Sequence, residues 1–228
     1  MRGFKVLAID LDAQGNTSFT FRAERDGPAA LGVLLGEITA EDAIQHTPYC
    51  DIIAGNKALA GADAFISQTG KEYRLREALA SIAGRYDYIV IDTPPALGIA
   101  TVNALTAADR VIIPAQADLY CLQGIADLGG TIDPIKRYCN PALEISGVLL
   151  TRYNSRSAFA REIAELAAEL AGNIGSRVFD TTIREGIAVR KAQAAQTSIY
   201  AYSPRSHAAE DYMQFIDELL QKEGTSLA

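Results

Sequence analysis

The chain is poor in the residues that build metal centres and disulfide frameworks. Its 228 residues include three cysteines, Cys50, Cys121 and Cys139, and two histidines, His46 and His207. The cysteines lie far apart and form no CxxC pair, which fits a reducing cytoplasm and argues against zinc or a disulfide scaffold. Neither histidine has a second ligand at metal-binding spacing, so both read as structural or surface residues. No stretch approaches the roughly 20 apolar residues of a membrane span. No apolar signal region precedes the first strand. The formal charge of −7 rules out a polyanion binder by net charge, while leaving room for a local basic patch. Internal repeats, low-complexity tracts and obvious linkers are also missing. No glycine fingerprint follows the first apolar strand, which sets aside a Rossmann dehydrogenase.

What is present is an alternation. Hydrophobic residues make up 49% of the chain, enough for one full core, and residues 1–228 read as a single domain. Buried strands are expected at 4–9, 51–54, 88–91, 110–114, 145–150 and 177–179. Helices are expected at 71–83, where Leu75, Leu79 and Ile82 share a face, and at 96–107, 157–171 and 207–221. A long helix at 119–138 is expected to break near Gly129-Gly130. Strands alternating with helices imply an α/β fold, a mostly parallel sheet flanked by helices on both faces.

Ligands of open parallel sheets bind at the carboxyl ends of the strands. Two strands here end in acids. "LAIDLDAQGN" carries Asp10 and Asp12, and "YDYIVIDTPPALG" carries Asp92. An aspartate closing an apolar strand suits an acid that holds magnesium through water. It also suits a turn or a helix N-cap. The prolines after Asp92 stiffen the backbone there, as a loop against a phosphate requires.

These segments, with "GVLLTRYNSRS" and "YSPRSHAAEDY" further on, resemble the ParA/Soj branch of the deviant-Walker partitioning ATPases, related to MinD. The resemblance covers nearly the whole chain in the right order. It implies a MinD/ParA-like P-loop NTPase fold, ATP and Mg2+ as cofactors, and a homodimer closed around nucleotide. It further implies non-specific DNA binding, plasmid or chromosome segregation, a ParB-type centromere-binding partner, and a cytoplasmic, nucleoid-associated location away from membrane. Carried over by position, Asp12 matches the acid that acts near the attacking water. Asp92 matches the Walker B acid, holding magnesium through water, and Thr93 and Pro94 begin switch II. Asn154 falls near the nucleotide-base end, where a turn after a strand would use the same residue. Asp10 matches a residue that supports the loop.

The family's grip on DNA is implied for basic residues of the C-terminal half. "TTIREGIAVRKAQ" places Arg184, Arg190 and Lys191 within two helical turns, with Arg152, Arg156, Arg177 and Arg205 nearby in sequence. A solvated helix face would look the same.

One element of the resemblance is missing. The family opens with a strand and a glycine-rich KGGxGKT-type loop, whose N–H groups and lysines cradle phosphate. Within these 228 residues the nearest approximations are "AGNKALAG" and "QTGKEYR", and neither places Lys-Ser or Lys-Thr after the required glycines. The chain is therefore expected to lack the first strand, the Walker A loop and the first helix, as a sequence truncated at its start. Two functions are compatible: a ParA-type ATPase in its complete form, or a non-catalytic adaptor that binds partitioning partners or DNA without hydrolysing ATP.

Overall fold

The computed structural model describes residues 2–27 and 29–222. In chain order the strands are β1 (Val6–Asp10), β2 (Ile44–His46), β3 (Asp51–Ile53), β4 (Tyr88–Asp92), β5 (Arg110–Gln116), β6 (Glu144–Tyr153) and β7 (Ile183–Arg184). The α-helices are α1 (Asn16–Thr20), α2 (Ala30–Leu35), α3 (Ala62–Phe65), α4 (Arg74–Leu79), α5 (Ile99–Ala107), α6 (Leu119–Tyr138), α7 (Ala158–Asn173), α8 (Ile187–Ala194), α9 (Ile199–Tyr202) and α10 (His207–Lys222). They build two compact units, Met1–Asp109 with Pro134–Leu143, and Arg110–Asp133 with Glu144–Ala228. No change of composition marks these limits, which is why the sequence reads as one domain.

The first unit holds a four-stranded sheet in the order β2-β3-β1-β4. β1 pairs in parallel with β3 and with β4, and only the short edge strand β2 runs antiparallel. Leu7 and Ile9 of β1, Ile53 of β3, Leu34 of α2 and Ile99 and Ala104 of α5 form its core. The second unit holds a parallel sheet in the order β5-β6-β7. Its clusters join Ile113, Val148 and Ala167, and, towards α10, Leu149, Phe179 and Phe215. The α/β class and the parallel strands expected from the alternation are present.

Several boundaries depart from the periodicity, each for a tertiary reason. Leu75, Leu79 and Ile82 are buried together as their spacing requires. The helix α4 carries only Leu75 and Leu79 and is short, and at its start Asn103 of α5 binds the backbone. The Asn103 side chain accepts from the Leu75 N–H and donates to the Lys71 carbonyl, at 3.0 and 2.9 Å. The expected break in α6 does not occur, and the helix runs unbroken from Leu119 to Tyr138. Gly129 serves close packing instead: a Cβ there would stand 2.5 Å from Ile174. Residues 177–179 contribute a single parallel bridge between Val148 and Val178 in place of a strand. Beside it, Phe179 occupies the space that a Cβ on Gly147 would need, 2.6 Å away. The edge strand β2 and the helices α1, α2 and α8 are additions that the periodicity did not reveal.

β4 is an edge strand of the first sheet, and among the described residues it pairs with β1 alone. Its apolar run keeps Val90 57% exposed. A fully apolar strand with one open edge is unusual, since edges are ordinarily protected by charge, proline or a bulge. β5 is likewise an edge of the second sheet, but it carries Arg110 and Pro114.

The Tyr88 N–H and the Asp92 carbonyl both point to the β1 side, bonding Lys5 and Leu11. By alternation the N–H groups of Ile89 and Ile91 point to the open edge. Native-state hydrogen exchange should find those two amides at least about ten-fold faster than those of Ile52 and Ile53. Equal protection at all four would show that the edge is covered.

Candidate active site at the carboxyl ends of the first and fourth strands

Asp10 and Asp92 close two neighbouring parallel strands and are direct register partners. Their environments differ sharply. Asp10 is fully buried. Its carboxylate accepts from the Asp12 N–H at 3.1 Å, the Ser18 N–H at 2.8 Å and the Ser18 hydroxyl at 2.7 Å. The Ser18 hydroxyl oxygen in turn accepts from the Gly55 N–H at 2.8 Å. Buried carboxylates persist only when bonded in this way. Asp10 thus supports the loop, as its matched position implies.

Two glycines let the backbone close around it. A Cβ on Gly55 would lie 2.6 Å from the Asp10 carbonyl oxygen and 2.9 Å from its carboxylate. Gly15 has φ +63, and its N–H donates to the Asp12 carbonyl to tighten the turn into α1. Gly55 belongs to "AGNKALAG", so that glycine serves packing against an acid.

Asp12 is half-buried in this turn, its Oδ1 accepting from the Gln14 N–H at 2.9 Å. Asp92 keeps an open side, and its Oδ2 accepts from the Thr17 hydroxyl at 2.6 Å. Shielding from water pushes the Asp92 carboxyl upward, and the nearby charges of Asp10 and Asp12 add to this. The bonds from Thr17 and from the Thr93 N–H offset part of the effect. Adjacent residues of one short helix, Thr17 and Ser18, therefore hold the two strand-end acids apart in role. Thr17, Ser18 and Gly55 were not picked out by sequence. The available signal was "GNTS", two hydroxyl residues one position after a glycine turn.

Thr93 and Pro94 lead out of β4 into an exposed loop. That loop ends at α5, whose first N–H, from Ile99, donates to Asp63 at 2.8 Å. The structure therefore brings together Asp12, Asp92, Thr93 and Pro94 in the first unit.

The other candidates lie in the second unit. Asn154 follows β6 as a turn residue, its Oδ1 accepting from the Arg156 N–H at 3.1 Å. Flanking it, Tyr153 and Ser155 line a cavity of about 370 Å³ shared with Thr181, Thr182, Arg184 and Gln214. Arg184 is committed to a partner. Its N–H donates to Asp211 at 2.9 Å and its guanidinium engages both carboxylate oxygens, with Glu210 alongside. Burial works against the Asp211 charge, but the Arg184 bonds prevail and hold its carboxyl below the usual range. Arg190 and Lys191 are exposed on α8.

The acids suit a hydrated magnesium ion. Asp12 and Asp92 keep open sides, and the Asp92 charge is disfavoured by burial and by the charges of Asp10 and Asp12. No group of three or more metal-type side chains is close enough to enclose an ion directly among the described residues. Water would therefore complete the shell, as magnesium prefers. A triphosphate fits less well, since no loop in this sequence offers the glycine and Lys-Ser or Lys-Thr pattern that cradles one.

Mostly parallel sheets with acids at the ends of adjoining strands define an α/β fold whose ligand site lies at the carboxyl ends of its strands. Comparison with known proteins narrows it. The family described as "AAA domain" matches residues 1–145. The chromosome partitioning protein ParA of Caulobacter vibrioides is 34% identical over 229 residues, covering 97% of this chain and 84% of that protein. The sporulation initiation inhibitor protein Soj of Bacillus subtilis is 34% identical over 222 residues, covering 95% and 87%. Among solved structures, the cobyrinic acid a,c-diamide synthase of Mycobacterium smegmatis with bound ATP analog and magnesium superposes with a TM-score of 0.83. It is 31% identical, over 98% of this chain and 85% of that one. The chain belongs to the ParA/MinD family of partitioning ATPases. No helix among the described residues is long and apolar enough to cross a membrane.

The Asp92 environment predicts a stability effect. A carboxyl raised in the folded state contributes most below its unfolded value, near 3.9, and that contribution is lost as pH rises through the folded value. Asp92→Asn should therefore leave the thermal midpoint unchanged near pH 3 and raise it at pH 7. A lower midpoint at pH 7 would refute the assignment. Asp10→Ala strands two buried donors of Ser18 and a part-buried N–H of Asp12, and should destabilise by roughly 3 kcal/mol or more in urea denaturation, at about 1–3 kcal/mol for each unsatisfied group.

Proposed function

We propose that this chain is a ParA-type ATPase of plasmid or chromosome partitioning, dimerising with ATP and holding DNA without regard to sequence. The observation that carries this reading is the convergence of Asp12 and Asp92, set by Thr17 and Ser18, at the carboxyl ends of β1 and β4. Asp92 would hold magnesium through water, and Thr93 and Pro94 would carry the nucleotide state into the following loop. Asp12 would orient the attacking water. Asn154 would face the base. Arg190 and Lys191 would meet DNA phosphates, with Arg184 bracing the segment before them against α10. A ParB-type protein would stimulate turnover, and the active pool would be nucleoid-associated in the cytoplasm.

Magnesium-dependent ATP hydrolysis, measured with a protein that includes the phosphate loop, should fall by about 10²-fold or more in Asp12→Ala. Undiminished turnover would remove Asp12 from the chemistry.

The lack of a phosphate loop in these residues favours a second reading, a non-catalytic adaptor that binds partitioning partners or DNA. An adaptor would retain DNA equally with and without ATP and magnesium. Retention that appears only with nucleotide would exclude it.

A further inference from the structure

The arginines of the second unit differ in what holds them. Arg184 is bound by Asp211, whose side chain is 5% exposed. Arg177 pairs with Glu218 at 3.0 Å and lies over the Phe179 ring. Each of these acids also has backbone donors, from Arg184 and from Asp180 and Thr181. Neither guanidinium can leave without abandoning a shielded carboxylate, which is strongly unfavourable.

Arg152 is held differently. Its Nη2 meets Glu185 at 3.0 Å, and the two side chains are 58% and 53% exposed. Its Nη1 donates to the Gln116 side chain at 3.1 Å. Exposed pairs of this kind separate at little cost. The backbone at Arg152 is also special. It has φ +51, the left-handed region that a side chain rarely adopts, and it sits at the register shift between Thr151 and Tyr153 in the β6–β7 pairing. Bulges of this sort re-aim a side chain, and strain persists where the surroundings over-determine it. Here the bulge directs a guanidinium to the edge of the segment that leads into α8.

Glu185 stands two residues before α8 begins, and Arg190 and Lys191 lie on the helix itself. Gly186 is extended between Glu185 and the helix, so Glu185 stands on the stretch that leads into the surface carrying these two cations. The carboxylate neutralises Arg152 directly.

We infer that Arg152 is a phosphate contact beside the α8 surface, and that Glu185 is a built-in damper that keeps this contact weak for DNA. This inference rests on the DNA-binding reading above. Phosphate can draw Arg152 away from Glu185, but the acid stays behind and cancels most of the gain. Removing the acid uncovers one full cation.

The test is a salt series of fluorescence anisotropy with a labelled duplex of arbitrary sequence, using the full chain, with and without ATP and magnesium. Glu185→Gln should bind about eight-fold more tightly at 0.1 M salt and steepen the log–log salt slope by about 0.9, the value of one added phosphate contact. Arg152→Gln should weaken binding, because it leaves Glu185 uncompensated. The double variant Arg152→Gln with Glu185→Gln should return close to the starting chain, which a general change in folding would not produce. Unchanged affinity and slope in Glu185→Gln, with binding still lost in Arg190→Gln and Lys191→Gln, overturns the damper and leaves the α8 surface standing. If the starting chain and Glu185→Gln both fail to bind at 50 mM salt, the DNA reading falls and the damper with it.

Discussion

A single buried carboxylate organises the first unit. Asp10 sits without solvent at the end of β1, and it is tolerable there only because three donors meet it. Those donors belong to the turn that carries Asp12 and to the helix that carries Thr17. Satisfying Asp10 therefore places the other two groups. Ser18 extends the arrangement to Gly55 after β3, so three separate segments are tied to one acid. The low cost of this arrangement depends on glycine at positions 15 and 55, where a side chain would press into the backbone or the carboxylate. Asp92 is the counterpart. It shares the register of Asp10 but keeps an open side, and its charge is disfavoured by the acids beside it. One acid is made structural by complete bonding, and the other keeps an open side by incomplete bonding.

The open edge of β4 bears on the same site, because Asp92 ends that strand. An apolar strand in a parallel sheet ordinarily has neighbours on both sides. β4 has the composition of an interior strand and the pairing of an edge strand. The acids that would face a magnesium ion are in place, while the backbone that would face the phosphates is not within these residues.

The second unit shows how similar residues take different parts. Sequence places its arginines in one basic region. The structure separates them by the burial of their partners. Arg184 and Arg177 are held by shielded acids and act as braces between the sheet and α10. Arg152 is held by an exposed acid and remains available. Arg190 and Lys191 are exposed on a short helix. Formal charge counts all five alike, but a phosphate would not.

The parallel α/β architecture and the acids at the ends of the first and fourth strands were legible in the sequence, because apolar runs that alternate with helical segments mark parallel strands and ligands meet such strands at their carboxyl ends. The buried face of Leu75, Leu79 and Ile82 was legible for the same reason, since helical spacing is a local property. The ends of that helix, the continuity of α6 and the loss of the 177–179 strand were not. Each depends on a partner distant in sequence: Asn103, Ile174 and the pairing of Phe179 with Gly147. The pairing of Arg184 with Asp211 and of Arg152 with Glu185 was hidden too, since each joins residues about thirty positions apart. By itself the sequence determined the fold class, the family and the acids at the strand ends, which follow from local pattern and short motifs. The tertiary structure alone decided which of those acids is structural and which arginines are free to act, because burial and partnership arise only when separate segments meet.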